Sequence, residues 1–141
     1  MRCLSEEFLH IDWDEEYDLL YLEWHYYPGN DKFRDSLGLV LNLAQQKNVK
    51  FGIANVQQLM AMAPEDINWL LDNWLPELLT LSIQKIALVL PPSIFEELAS
   101  AYLQKLDVSV LSFEIEFFAQ VTAAYHWIKN KPLTGANLHM E

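Results

Sequence analysis

Four side chains near the start of the chain have the types and spacing that metal or acid–base chemistry uses. His10 and Asp12 stand two residues apart, and Glu23 and His25 repeat that spacing thirteen residues on. In extended backbone a spacing of two puts side chains on one face. If the two segments pair with their apolar residues together, both imidazoles and both carboxylates share the opposite face with Tyr21. Two imidazoles and two carboxylates on adjacent strands can bind a divalent metal and activate water. Alternation alone also places polar residues on the solvent side, where they blunt edge-to-edge pairing. The solvated face is the reading taken, with no metal and no cofactor expected.

The rest of the chain offers less chemistry. His126 stands beside Trp127 with no carboxylate near it in sequence, and His139 lies close to the end of the chain. Cys3 sits among acids, which disfavour a thiolate. Ser93, Ser109 and Ser112 fit no nucleophile elbow, and none of the four glycines belongs to a phosphate-cradling loop. No catalytic residue is expected. Two groups suit binding instead. Asn55, Gln57 and Gln58 follow a short apolar run and can offer polar contacts to a small ligand at the carboxyl ends of parallel strands. Trp69 stands off the apolar stripe of its helix. With Met60, Met62, Asp72 and Asn73 it forms a candidate interaction patch, since tryptophan is favoured at interface hot spots.

The elements that position these residues follow from periodicity. Leu9, Ile11 and Trp13 alternate with polar residues, as do Leu20, Leu22 and Trp24 across the short acidic turn 14–18, which predicts an antiparallel hairpin. Phe33, Leu37, Val40, Leu41 and Ala44 recur at helical spacing after a cap at Asp31, and Asn48 is the stop. Gly38 inside this helix suggests close packing. Residues 51–56 form a strand, and Pro64 with Glu65 and Asp66 opens a helix that Pro76 should kink or interrupt. Residues 86–90 read as a central strand covered on both faces. Ser93-Ile94-Phe95-Glu96 matches a capping box. Residues 108–113 read as the last strand, and a helix over 118–130 completes the order β-β-α-β-α-β-α-β-α. The fold expected is α/β: a mostly parallel five-stranded sheet with an antiparallel N-terminal edge strand and four helices.

Composition sets the outer limits. A length of 141 residues with 52% hydrophobic content suits one domain and excludes intrinsic disorder. Residues 1–130 are read as that domain and 131–141 as a disordered tail. A lone cysteine excludes an internal disulfide scaffold. The net charge of −11 argues against nucleic acid and anionic membranes. Residues 1–31 hold nine of the twenty acids and one base, so the charge is concentrated there. No secretory signal or membrane-length apolar run is read, and a cytoplasmic location is expected.

The segments Ile11-Asp12-Trp13-Asp14 and Leu20-Tyr21-Leu22-Glu23-Trp24, with the helix opening Lys32-Phe33-Arg34-Asp35, resemble small bacterial STAS-like proteins, relatives in fold of the anti-sigma-factor antagonists. Pro64-Glu65-Asp66, Trp69, Trp74-Leu75-Pro76-Glu77-Leu78, Lys85-Ile86-Ala87-Leu88-Val89-Leu90-Pro91 and Ala123-Ala124-Tyr125-His126-Trp127-Ile128 are similar to the same group. The resemblance covers about residues 8–129, the extent expected of one whole domain. It implies a STAS-like fold and a non-enzymatic, regulatory protein-interaction module with an unidentified protein partner. The phosphorylatable serine of the antagonists has no counterpart, since the junction reads Met60-Ala61-Met62-Ala63-Pro64. The alternative is a small-ligand-binding module. Apolar residues on both sides of the 86–90 strand add an expected preference for a homodimer, unless the chain itself returns to cover the second face.

Overall fold

The hairpin forms in the register that pairs its apolar residues. In the computed structural model, which describes residues 1–59, 63–105 and 107–129 (backbone alone at 94, 98, 102 and 108), β2 (Leu9–Asp14) runs antiparallel to β3 (Leu19–Trp24). Leu9 faces Trp24, Ile11 faces Leu22 and Trp13 faces Leu20. A strand not anticipated, β1 (Arg2–Ser5), pairs antiparallel outside β2. It is short and lacks clean alternation, so its sequence carries no period. It is held instead by cross-strand partners: Arg2 reaches Asp12 at 2.5 Å, and the Met1 ammonium donates to the Trp13 carbonyl at 2.7 Å.

From β3 onward the sheet is parallel. β4 (Phe51–Asn55), β5 (Lys85–Val89) and β6 (Glu114–Phe118) follow in strict sequence order, giving a six-stranded mixed sheet rather than five strands. The last strand is displaced from the expected 108–113. Val108–Val110 is a 3-10 turn. Glu114 and Glu116 alternate with Ile115 and Phe117, so the strand takes the amphipathic stretch that directly follows the expected 108–113.

Gly29, with φ 99, makes the left-handed bend that starts α1 (Asn30–Gln46), so Asp31 sits in the first turn rather than capping it. Asn48 ends the helix with φ 56, as expected for a residue that tolerates the left-handed region. A β-carbon at Gly38 would meet nothing within 4 Å, so that glycine serves no close approach. The next helical segment is continuous through three geometries: α2 (Pro64–Trp69), a π-helical stretch (Leu70–Trp74) and α3 (Leu75–Leu78). Pro76 removes a donor and crowds the carbonyl four residues back. The chain answers with the π register, Leu75 N–H reaching the Leu70 carbonyl. α4 (Phe95–Lys105) follows a 3-10 turn at Pro92–Ile94, and α5 (Val121–Lys129) closes the fold.

The two sheet faces are covered by different helices. Phe33, Leu37, Val40 and Ala44 of α1 pack on Leu9, Ile11, Trp13, Leu20 and Trp24, with Leu70 and Trp74 alongside. On the opposite face Leu19, Ile53, Ala87 and Val89, all fully buried, lie under Ala124 and Ile128 of α5. The return of the chain as α5 thus covers the second face of β5.

Candidate functional site

Strand β4 explains where the molecule leaves room. Toward α1 and α2 it presents only Gly52 and Ala54, whereas its neighbours present Leu20 and Leu22 on one side and Ile86 and Leu88 on the other. Over this low floor lies a cavity of 180 Å³, partly open to solvent. Its walls are Phe33 and Leu37 of α1, Ile67, Leu70, Leu71, Trp74 and Leu75 of the α2–α3 segment, and Trp24, Leu88 and Ile115 of the sheet. Lys105, at the end of α4, is the one charged residue of the lining among the described residues. Aliphatic cavities of about 150 Å³ stay dry and take up benzene-sized molecules. The lining can therefore hold a small apolar body, with the exposed Lys105 at its edge.

A buried polar clamp fixes the helices that roof the cavity. Asp66, completely buried, accepts from Arg34 Nε at 2.8 Å and from the Tyr27 hydroxyl. The bond to Asp66 pushes the Tyr27 phenol up to about 12, with burial adding to it. Arg34 also lies over the Trp69 ring, 5.3 Å from its centre. Trp74 donates its indole N–H to the Leu37 carbonyl at 2.8 Å, tying the π-helical stretch to α1. Charge, aromatic face and indole donor are all spent on joining α1 to α2. A larger, shallower groove of 820 Å³ runs along the outside of α1 and α3, with Gly38 and Glu77 among its walls.

The residues singled out in the sequence fall in three places. Asn55 and Gln57 hold their own chain together: Asn55 donates to the Tyr21 hydroxyl at 3.3 Å and accepts from Gln57 N–H at 3.1 Å. Gln57 donates to the Ala119 carbonyl at 2.9 Å. Gln58 is exposed. None of the three lines the cavity, which instead runs past Val56 and Leu59 beside them. Of the proposed contact patch, Met60 and Met62 lie outside the described residues, as do 131–141 and His139. Trp69 is half-buried with Arg34 against it, while Asp72 and Asn73 are exposed.

The polar face of the hairpin forms as the pairing predicts. His10 and His25 meet, Tyr21 donates to Glu23 at 2.9 Å, and Asp12 turns to Arg2. Burial, reinforced by Glu23, pushes the Tyr21 phenol up to about 12 against the Asn55 hydrogen bond. Burial also raises Tyr125, stacked on Tyr21 at 5.8 Å, with Asp14, Asp12 and Glu23 adding to it. Among the described residues no group of three or more His, Cys, Asp or Glu side chains converges as a metal cage would require, and no helix is long and apolar enough to cross a membrane. Comparisons with family models, curated proteins and solved structures find no match.

Sequence reasoning missed the cavity. The signal was present in Gly52-Ile53-Ala54, where small residues alternate with a large one, but it gains meaning only once β4 stands between two strands with large side chains.

Proposed function

We propose that this domain is a non-enzymatic binding module whose ligand is a small apolar molecule held between the sheet and the α1–α3 roof. The observation that carries the reading is the 180 Å³ cavity with its almost wholly apolar lining. A ligand there removes apolar lining from water, at about 25 cal/mol per Å² covered. The size favours a compact ring or a short chain, with Lys105 suited to a carboxylate at its end. The resemblance to STAS-like proteins supports a regulatory role, in which occupancy of the cavity would be the signal. A second reading, docking of a basic protein partner, is favoured by the acidic hairpin face around Asp12, Asp14 and Glu23. Recovery of a stoichiometric partner at low salt would support it.

Thermal denaturation and calorimetry with indole, toluene and hexanoate test the first reading. The expected result is saturable stabilisation with one site per chain, about 2.7 kcal/mol at a hundredfold excess over Kd. No stabilisation by any of the three would contradict it.

A further inference from the structure

The pairing of β2 with β3 sets His10 directly across from Glu23, and His25 follows one residue beyond the end of β3. Their imidazoles meet edge to face, with centroids 4.5 Å apart at 75°. His25 Nε2 lies 3.2 Å from His10 Nδ1. Ring nitrogens that face each other at this distance either share a proton or share an ion. Two imidazoles bound tetrahedrally to one zinc, at about 2.0–2.1 Å each, place their nitrogens about 3.4 Å apart. A cis pair on a square-planar ion would be closer, at about 2.8–2.9 Å for similar bond lengths. The observed separation is nearer the tetrahedral value.

We propose that His10 Nδ1 and His25 Nε2 form a two-imidazole site for a divalent transition ion of the zinc type, with water completing the coordination. Three features support it. The site is pre-positioned, because His10 stands on β2, His25 directly follows β3, and the facing nitrogens are already 3.2 Å apart. The second is the proton balance. One ring now carries the proton between the two nitrogens, and freeing both lone pairs requires that N–H to move to the ring's other nitrogen. For His25 that other nitrogen, Nδ1, has Glu23 Oε2 3.8 Å away. A carboxylate at that ion-pair distance favours the required tautomer by its charge, and a small approach would let it accept the Nδ1 proton as outer partners of metal-bound histidines do. The third is charge, since Asp12, Asp14 and Glu23 stand on this face and the chain carries a net −11. With no third His, Cys, Asp or Glu converging among the described residues, the site is open to solvent ligands rather than a closed structural centre.

Calorimetric titration of the full chain with Zn²⁺ tests this, alongside His10→Ala, His25→Ala, Glu23→Gln and the exposed His126→Ala. One ion per chain is expected. Binding should weaken at least about tenfold in either of the first two variants and about tenfold in Glu23→Gln, the low end of outer-partner effects. His126→Ala should leave it unchanged. A measurement on the unaltered chain guards against misfolded variants: in a ¹H–¹⁵N spectrum of the imidazoles, Zn²⁺ should shift His10 Nδ1 and His25 Nε2 together. Shifts confined to His126 or His139, or affinity undiminished in His10→Ala and His25→Ala, would overturn the proposal.

Discussion

Replacing Ala54 by leucine tests whether the cavity is real and whether it is the binding site. Ala54 lies on β4 in register with Leu22 and Leu88, and it forms part of the cavity lining. Leucine adds three carbons at that spot. At about 0.8 kcal/mol per buried CH₂ the gain is at most about 2.4 kcal/mol. Ordering the longer side chain takes back about 0.5–1 kcal/mol. The net expected is about 1–2 kcal/mol of added stability. For a chain of this length that raises Tm by about 3–8 °C. The same three carbons fill space the ligand needs, so the apparent affinity for indole or toluene should be at least about tenfold lower than that of the wild type. Differential scanning calorimetry with and without ligand reads both effects. A close-packed site would respond differently, since overpacking costs about 1–3 kcal/mol. A lower Tm in Ala54→Leu with an unaltered ligand response would refute the reasoning.

Two further outcomes follow from the clamp and the tyrosines. Asp66→Ala removes the buried acceptor of Arg34 and Tyr27, and should cost about 3 kcal/mol, at the low end for broken buried pairs because Arg34 is partly solvated. The urea midpoint reads it, and a loss under 1 kcal/mol would mean the clamp does not hold α1 to α2. Tyr21 and Tyr27 ionise only near 12 in the fold, against about 10 when unfolded. Between these values the folded chain binds more protons than the unfolded one. Their contribution to stability is therefore full below pH 10 and lost as pH rises toward 12. Absorbance titration at alkaline pH should show Tyr21, Tyr27 and Tyr125 lagging the ordinary phenols, and Tyr27→Phe should remove one lagging phenol.

Much of the architecture was legible because it rests on local period. The alternation of Leu9, Ile11 and Trp13 against Leu20, Leu22 and Trp24 specifies both the hairpin and its register, and so the shared face of His10, Asp12, Glu23 and His25. Pro64 marks the start of α2, and Asn48 the end of α1. What was not legible depends on contacts distant in sequence. β1 exists through Arg2, Met1 and their partners on β2, which no pattern in Arg2–Ser5 announces. Asp66 reads as an ordinary first-turn acid, yet it is the buried end of a clamp whose other members lie 32 and 39 residues away. Trp69 reads as a contact residue because it stands off its stripe, but Arg34 takes one face of it. β6 was misplaced because residues 108–113 are the more apolar stretch, while the alternation over Glu114–Phe118 becomes a strand only through its pairing with the distant β5.

Where an apolar molecule sits on this chain is the most direct test of the account. With methyl-labelled protein and unlabelled toluene, isotope-filtered nuclear Overhauser spectra report which methyl groups touch the ligand. The account predicts contacts to Ala54, Leu71 and Leu88, from the floor and the roof of the cavity. Contacts only to exposed methyls such as those of Leu103 and Val110, or none at saturating toluene, would contradict it.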